Sequence, residues 1–533
     1  MAIDGSRVTI SDMAPDGNGN LYLLGDFWGT MTLGNNALTS NGVREVFLAK
    51  WSPGNNSFTW VQRCGGAYCQ ASALAVSGTS LYITGQFDGR ATFGSTALNG
   101  AGGSTSNEFI AKVTDLGASS SFVWAQQVTG SFMGIKMLTD VAVNGPNVYI
   151  TGAYSLNVGF GLTGNIGLAA GPNRSLTDVF VAKLVDAGSS ASFVWAQKAG
   201  SNASTEFGAA IAVSGSSVYI AGTVGAGDAY FDAILVAGGG QRNNAFVAKL
   251  TDAGTTTRFD WVRRVEGAES SAAALVARGT DVFMAGNFTA APATFGTTVL
   301  TNSSVSNDNQ YVARLTDNGS TASYAWVQRA GGSVSSLLVD GTDVYLGGWV
   351  GNTADFGSII VTGTIDVVVA KLVDLGSSTR FAWVQQAGGP SMDAAGKLAL
   401  VGNTLWVSGQ LTPPASFGNQ TLANPANTQT GFVASLPNAT TLATAPAATV
   451  ASLELYPNPA RTITTVHLLA VSEANTATLT LLDALGRVVY TQQVLLSARG
   501  ATVEIPIAGF ARGFYHLRMQ AGGQQANKVL LVD

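Results

Sequence analysis

The chain has 533 residues, of which 46% are hydrophobic and 11% charged, and its formal net charge is −5. This length exceeds what one hydrophobic core usually supports, so several domains or a repeat architecture are expected. The sequence contains no cluster of Lys and Arg of the kind that neutralises phosphates, which argues against a nucleic-acid partner. Gly, Ser, Asn or Thr interrupts every apolar stretch, so no transmembrane segment is predicted.

Cys64 and Cys69 are the two cysteines, and they bracket Gly-Gly-Ala-Tyr. A pair this close could form a disulfide in an oxidising compartment, and two free thiols in a turn are the alternative. No His or further Cys lies nearby in sequence, so a metal site at this pair is not expected.

Three short elements recur along the chain in fixed order. An apolar segment ending in Gly occurs seven times at intervals of 60 to 70 residues, at 21–25, 81–85, 148–152, 218–222, 282–286, 344–348 and 405–409. A segment similar to FVAKL follows each of them, at 47–51, 109–113, 180–184, 246–250, 311–315, 368–372 and 432–436. A third element carries a tryptophan and occurs six times, at Trp60, Trp124, Trp195, Trp261, Trp326 and Trp383.

These elements predict β-strands, because they are short, rich in β-branched and aromatic residues, and bounded by Gly, Asn, Asp or Ser. Another apolar run, such as 71–76, precedes the first element and forms a hairpin with it. The unit therefore has four antiparallel strands. Seven such units predict an all-β fold, a seven-bladed β-propeller whose blades bury both faces against their neighbours.

Residues 8–436 resemble the bacterial β-propeller repeat, in which a VYVTG-like strand precedes FVAKL and a Trp-bearing strand ending in Gly-Gly. The resemblance implies a fold and no particular activity. The seventh repeat lacks the Trp-bearing strand, so we expect closure by a strand from upstream of Met1 or, less well matched, by residues 440–447.

Two further positions recur in the repeat. A Phe-Gly pair such as Phe295-Gly296 follows the second strand, and we interpret it as a packing plug between blades followed by a turn. An aspartate follows FVAKL and is predicted to be a turn residue that accepts local backbone hydrogen bonds; it occurs at Asp186, Asp252, Asp317 and Asp374.

The chain changes character after the last repeat. Residues 437–451 are rich in Thr, Ala and Pro, which indicates a linker between the propeller, 1–436, and a second domain, 452–533. Short alternating segments in the second domain predict a small Ig-like β-sandwich.

The second domain closely resembles the type A sorting domain of type IX secretion substrates. The matching residues are Tyr456, Pro457, Asn458 and Pro459 at the start, Asp483, Gly486 and Arg487 in the middle, and Gly513, Tyr515 and Lys528 near the end. The turn at 484–486 leaves Arg487 free to pair with Asp483. The resemblance implies recognition by the outer-membrane translocon and its sortase, and secretion or display on the surface of a Bacteroidota cell.

Met1 to Arg7 contain no basic region followed by an apolar core, so no secretory signal peptide is visible. For an exported protein, we expect the leader to lie upstream of this sequence.

Few residues in the propeller suggest chemistry. Both histidines, His467 and His516, lie in the second domain, so His-based triads and His-based metal sites are excluded from the propeller. The acidic loop beginning at Asp16 lacks a downstream Glu at EF-hand spacing and is interpreted as a turn, with calcium as the alternative. We predict no catalytic residue, cofactor or metal site.

Two functional classes remain. The favoured one is a non-enzymatic binding or structural module for an unknown surface glycan or protein, in which Trp28 and Trp349 either stack on sugar rings or pack inside. The alternative is a secreted hydrolase of extracellular polysaccharide or protein, which would need two carboxylates within about 10 Å in a cleft.

Overall fold

The computed structural model describes residues 4–100, 107–130, 136–161, 166–170, 175–201, 204–238, 242–289, 292–302, 309–418, 420–422, 429–437, 453–468, 476–483, 487–497, 500–521 and 524–533. Every helix or strand within these ranges is a β-strand, which confirms the all-β prediction. The described residues include no helix long and apolar enough to cross a membrane. The chain divides into two compact units, Met1–Leu436 and Pro437–Asp533.

The first unit begins with β1 (Asp4–Pro15), β2 (Leu21–Leu33), β3 (Asn36–Thr39), β4 (Glu45–Ser52), β5 (Ser57–Ser77), β6 (Ser80–Phe93), β7 (Thr96–Asn99), β8 (Asn107–Asp115) and β9 (Ser120–Gly130). It continues with β10 (Lys136–Asn144), β11 (Asn147–Tyr154), β12 (Asn157–Phe160), β13 (Ile166–Ala169), β14 (Asp178–Asp186), β15 (Ala191–Gly200), β16 (Phe207–Ser214), β17 (Ser217–Val224), β18 (Ala229–Phe231), β19 (Ile234–Val236), β20 (Asn244–Asp252) and β21 (Thr257–Arg264).

The remaining strands of this unit are β22 (Glu269–Arg278), β23 (Asp281–Thr289), β24 (Ala293–Phe295), β25 (Thr298–Leu300), β26 (Asn309–Asp317), β27 (Ala322–Gly331), β28 (Ser333–Asp340), β29 (Asp343–Phe356), β30 (Ile359–Asp374), β31 (Thr379–Ala387), β32 (Ala394–Val401), β33 (Thr404–Leu411), β34 (Ala415–Phe417), β35 (Gln420–Leu422) and β36 (Thr430–Pro437). The second unit contains β37 (Leu453–Tyr456), β38 (Ile463–Leu468), β39 (Thr476–Leu482), β40 (Val488–Leu495), β41 (Ala501–Pro506), β42 (Gly513–Ala521) and β43 (Gln524–Val532).

Each repeat forms an antiparallel sheet in which consecutive long strands are neighbours. The orders are β1-β2-β4-β5, β5-β6-β8-β9, β10-β11-β14-β15, β16-β17-β20-β21, β22-β23-β26-β27, β28-β29-β30-β31 and β32-β33-β36. Strand β5 is long enough to close the first sheet and open the second. In the last sheet, β36 is the outermost described strand, and residues 440–447, one predicted source of a further strand, lie outside the described residues.

The first strands of successive sheets contact one another in a closed circle. β1 packs against β5, and contacts continue through β10, β16, β22, β28 and β32 back to β1. The third strand of each sheet is buried on both faces; β8, for example, is buried along nearly its whole length. This propeller-like ring explains why the strands carry so few charges.

One aspartate at the end of a third strand joins two neighbouring sheets. The Asp317 carboxylate, at the end of β26, lies 2.7 Å from the Tyr219 hydroxyl, 2.6 Å from Lys249 Nζ and 2.9 Å from Trp261 Nε1, and all three belong to the preceding sheet. A fourth donor, Gly319 N at 2.9 Å, comes from its own turn. Burial alone would raise the pKa of Asp317, but these hydrogen bonds outweigh it and lower the pKa overall.

We call this four-donor arrangement the Asp clasp. It recurs at Asp115, Asp186 and Asp252 with the same Tyr, Lys and Trp donors, whereas Asp374 receives Arg314 and Trp326. The predicted role as a turn residue is confirmed by the Gly N–H bond of each clasp. The bonds between sheets are an additional role that sequence reasoning missed.

The junction between the last and the first sheet has different contacts. Pro53 stands at the clasp position of the first repeat. The Trp51 and Trp406 rings meet edge to face there, with centroids 5.0 Å apart. Lys397 Nζ lies 4.0 Å from Asp12 Oδ1 across the same junction. Aromatic packing and one long ion pair therefore replace the carboxylate clasp.

The Phe-Gly elements pack as part of the core. The ring of Phe295, on the small hairpin β24-β25, lies 4.9 Å from the ring of Tyr311 and 5.6 Å from that of Tyr324, both in the fifth sheet. The surrounding apolar cluster also includes Val265 from the preceding sheet. The backbone of the small hairpin reaches the preceding sheet as well, through a bridge between Glu266 and Thr294.

The second unit has two antiparallel sheets, β37-β38-β41 and β40-β39-β42-β43. One apolar cluster contains buried residues from both sheets, among them Val466, Leu479, Leu517 and Leu530. Strand β42 alternates regularly between buried and exposed residues, as expected for a strand with one face on a core.

We expect Asp317→Ala to lower the free energy of unfolding by about 3 kcal/mol, because it leaves Lys249 buried without its partner carboxylate. Chemical denaturation of the full chain measures this loss. The control is Asp340→Asn, which removes an exposed acid from the end of β28. A loss from Asp317→Ala no larger than that from the control would show that the clasp does not stabilise the ring.

Candidate functional site

The sorting motif begins with an exposed segment tied to the last strand. Tyr456 is 76% exposed at the end of β37. Asn458 Nδ2 donates to the Val529 carbonyl at 2.7 Å, and Leu531 N donates to Asn458 Oδ1 at 2.8 Å. The Asn458 side chain therefore pairs with β43 as a neighbouring strand would, which fixes Pro457 and Pro459 beside the C-terminal strand.

In the middle of the motif, one acid holds the residue four positions later in the chain. Asp483 accepts from Arg487 N at 2.9 Å and from Arg487 Nε at 2.8 Å. This confirms the predicted pairing of the two side chains. Gly486, the third residue of this part of the motif, lies outside the described residues.

The last part of the motif comprises a buried ring and an exposed cation. The Tyr515 ring is buried beside Phe510, and its hydroxyl donates to the Ala511 carbonyl at 2.8 Å. Gly513 opens β42, and Lys528 is exposed on β43.

The strand register places the separate parts of the motif along one line of the domain. Leu482, which precedes Asp483, pairs with His516, and His516 pairs with Val529. The Val529 carbonyl is in turn the acceptor of Asn458. Segments up to 71 residues apart in sequence thus form one continuous surface, which is what a receptor that recognises a folded domain requires.

Cys64 and Cys69 lie on β5, and the structure has both as buried free thiols. Burial raises the pKa of Cys64 and raises that of Cys69 to about 12. The thiolate is the form that oxidises, so both groups are unreactive in this state. The structure thus has the two free thiols of the alternative prediction, although they lie on a strand and not in a turn. The disulfide stays a prediction for an oxidising compartment.

The two candidate aromatic platforms differ in access. The guanidinium carbons of Arg7, on β1, and Arg44, just before β4, each lie 4.5 Å from the ring centre of Trp28. Two cations of the chain itself thus already stack on this ring, which argues against Trp28 as a platform for a sugar. Trp349 is half-buried on β29 and stays a candidate.

The acidic loop at Asp16 is occupied by its own chain. Asp16 accepts from Asn18 N at 2.7 Å and from Asn20 N at 2.9 Å, and Lys50 Nζ lies 3.1 Å from its other oxygen. These contacts support the interpretation as a turn.

Each third strand carries a buried polar residue that sequence reasoning missed, at its first position except in β30, where the residue lies inside the strand. These residues are Glu45, Asn107, Asp178, Asn244, Asn309, Asp366 and Thr430. The signal was available, since each residue lies two positions before the first residue of the FVAKL element.

Two of these buried polar residues face a second acid from the next sheet. A Cβ on Gly200 would lie 2.3 Å from Asp178 Oδ1 and 3.0 Å from Glu206 Oε2, so the two carboxylates are close neighbours. Burial raises the pKa of both acids, that of Asp178 to about 6. A cleft of about 620 Å³ is lined by Asp178, Lys198 and Tyr230, whereas Glu206 is fully buried and is not part of its lining.

The equivalent pair in the sixth and seventh repeats is Asp366 and Asp393. A Cβ on Gly388 would lie 2.6 Å from Asp366 Oδ1 and 2.9 Å from Asp393 Oδ2. Because the same arrangement of two acids occurs at two junctions between sheets, we interpret it as a structural feature of those junctions.

A second group of acids lies among the first strands, at the centre of the ring. Asp12 accepts from Leu74 N and Asp140 from Ile211 N, each at 2.8 Å. Burial raises the pKa of Asp140 to about 6, against the field of Lys397. The adjoining cavity of about 140 Å³ is lined mainly by alanines and by the hydroxyls of Thr139, Ser335 and Ser336.

We expect Asp178→Asn to stabilise the protein at neutral pH only. The pKa of about 6 exceeds the value of about 3.9 in an unfolded chain, so the contribution of this acid is full below pH 4 and lost as the pH rises towards 6. The unfolding free energy should therefore rise by about 1–2 kcal/mol at pH 7.5 and change little at pH 4. Asn107, Asn244 and Asn309 show that an amide fits this position. Urea unfolding at both pH values tests this, and an equal gain at pH 4 would contradict it.

Comparison with known proteins gives one family match. No curated protein matches the chain in sequence. Among solved structures, Trypanosoma rangeli sialidase is 10% identical, with 98% of this chain and 84% of that chain covered and a TM-score of 0.31. The same sialidase with the inhibitor DANA gives a TM-score of 0.32 at 10% identity and the same coverage.

Dimeric latent PorU from Porphyromonas gingivalis is 11% identical over 61% of this chain and 32% of that chain, with a TM-score of 0.13. Structural likenesses this weak assign neither a fold nor a function to this chain. Residues 454–533 match the family model described as the secretion system C-terminal sorting domain. The C-terminal unit is therefore a sorting domain of this family, and it indicates export through type IX secretion to the cell surface or the extracellular space.

Proposed function

We propose that the chain is an exported binding module, in which a seven-bladed propeller presents the ligand-binding surface and an Ig-like sorting domain directs type IX secretion. The observation that supports the export step most strongly is the sorting-domain match at residues 454–533, together with the continuous surface formed by Asn458, Val529 and His516. The translocon and its sortase are the partners of this surface, in the manner of Bacteroidota surface proteins.

The blade count is supported by the ring of first strands. Seven successive sheets contact one another and return to the first, and six of them have four long strands in the described residues. In the seven-bladed propeller, the seventh blade ends at β36 or is completed by a strand from elsewhere.

Binding is favoured over catalysis by the way the buried acids are used. Asp12 and Asp140 accept backbone N–H groups from the next sheet, and they adjoin a cavity too small for a polymer. The acid pair at Asp178 has an equivalent at Asp366, which supports a structural role for it.

A hydrolase is the second candidate, and the cleft of about 620 Å³ beside Asp178 favours it. Two close carboxylates with raised pKa values could serve as acid and nucleophile in glycoside hydrolysis. Release of reducing ends from extracellular polysaccharide by the wild type, lost in Glu206→Gln, would establish this candidate in place of the binder.

The export step is tested with reporters. We expect residues 437–533, fused behind a signal peptide and a fluorescent protein, to reach the medium or cell surface of a Bacteroidota host, and residues 1–436 in the same fusion to stay in the periplasm. Fractionation and fluorescence measure both. Retention of both fusions in the periplasm would refute the assignment of type IX export.

A variant tests the motif surface within that domain. Asn458→Ala should reduce export of the fusion, because it removes both bonds between the motif and β43. Asn527→Ala is the matched control, since it changes an asparagine of β43 outside the matched motif residues. Equal export of the two variants would show that Asn458 does not position the recognised surface.

A further inference from the structure

The fourth sheet departs from the repeat at two adjacent positions near the end of its outer strand. The second and third residues after each outer-strand tryptophan are both polar. The pairs are Gln62-Arg63, Gln126-Gln127, Gln197-Lys198, Arg263-Arg264, Gln328-Arg329 and Gln385-Gln386. The pair on β21 has arginine at both positions. The other five pairs act as internal references for what each position needs.

In the first, second and fourth sheets, the first position supplies one hydrogen bond to the next sheet. Gln62 Nε2 donates to the Ser120 carbonyl and Gln126 Nε2 to the Ala191 carbonyl, each at 2.9 Å. Arg263 Nε makes the equivalent bond to the Ala322 carbonyl at 2.8 Å. Glutamine is therefore sufficient to make this bond, and the positive charge of Arg263 is not needed for it.

In the first, third and fifth sheets, the second position pairs a cation with an acid. Arg63 pairs with Glu45 at 3.3 Å, Lys198 lies 4.0 Å from Asp178, and Arg329 pairs with Asp355.

In the fourth sheet, Asn244 occupies the position that Glu45 and Asp178 occupy in the first and third sheets. Arg264 has no acid at that position and donates to the Ala237 carbonyl. Within the described residues, neither Arg263 nor Arg264 forms a salt bridge. Two positive charges are thus left without a neutralising partner in a protein whose net charge is −5.

Both arginines line a cleft of about 570 Å³ between the fourth and fifth sheets. Val236, Val262 and Phe295 form an apolar wall in it. The Tyr324 hydroxyl, on another wall, is buried and has no hydrogen-bond partner among the described residues.

One acid also lines the cleft. Glu266 is exposed, and it forms no salt bridge with either arginine within the described residues. The cleft therefore combines a cationic edge, an apolar wall and an unsatisfied hydroxyl.

We infer that this cleft binds an acidic saccharide, with a carboxylate or sulfate group on Arg263 and Arg264. The planar fork of a guanidinium matches such anions in a bidentate manner. The apolar face of a sugar ring packs on Val236 and Val262. The volume of about 570 Å³ suits a ligand of this size. This inference rests on the proposed binding function and names its ligand class.

The test is calorimetric titration of the full chain with four probes: oligogalacturonate, which carries carboxylates; dextran sulfate, which carries sulfates; neutral dextran; and poly-glutamate. We expect one acidic saccharide to bind, and to bind more weakly at higher salt. The double variant Arg263→Gln with Arg264→Gln should weaken that binding at least about tenfold. It should stay folded, because glutamine occupies each of these positions in other repeats, as at Gln126 and Gln127.

The matched control is Arg278→Gln with Arg329→Gln, which removes the same charge from the fifth sheet and should leave binding unchanged. Equal binding by wild type and by the Arg263 and Arg264 variant would overturn this site and leave the binding function standing. Poly-glutamate binding as tight as the saccharides, or no binding of either acidic saccharide, would overturn the ligand class. Neutral dextran bound equally by all variants would place saccharide binding outside this cleft.

Discussion

The Asp clasp is the interaction on which the ring of sheets depends. Sheets that bury both faces have little polar surface with which to fix their positions relative to one another, and apolar packing alone is not directional. Each clasp supplies that direction: at Asp317, for example, one carboxylate accepts from a phenol, an ammonium and an indole of the preceding sheet and from its own turn. Four donors satisfy the acid fully, so a charge stays buried without a large cost.

The junction that closes the ring has no clasp and is held by other contacts. Five aspartates join the first six sheets, whereas Pro53 cannot accept such bonds at the closing junction. An aromatic pair and the long contact between Lys397 and Asp12 take over there. These contacts are less directional than the hydrogen bonds of a clasp. The closing junction therefore depends more on how the two tryptophan rings pack than the junctions with a clasp depend on their packing.

The sequence predicted the repeat units well because each strand is defined by local pattern. The Tyr, Lys, Trp and Asp of the clasp were all visible as recurring residues, yet their convergence was not predicted. Tyr219 and Asp317 are 98 residues apart and belong to different repeats, and periodicity alone does not say which neighbour a side chain will face. The same limit applies to Asn458, whose partner Val529 is 71 residues away. The resemblance identified the motif residues, and only the register of β42 and β43 showed that they share a surface.

A repeat protein offers its own controls for separating structure from function. A feature that recurs at every described junction of one kind, such as the bond between the outer-strand tryptophan and the clasp aspartate, is explained by what the ring needs. A residue that exceeds that need calls for another explanation. Arg263 makes the bond that glutamine makes elsewhere and adds a charge that no described acid neutralises, next to a cleft with an unsatisfied hydroxyl. Function in such a scaffold is therefore best sought where one repeat departs from its siblings while keeping the bond they share.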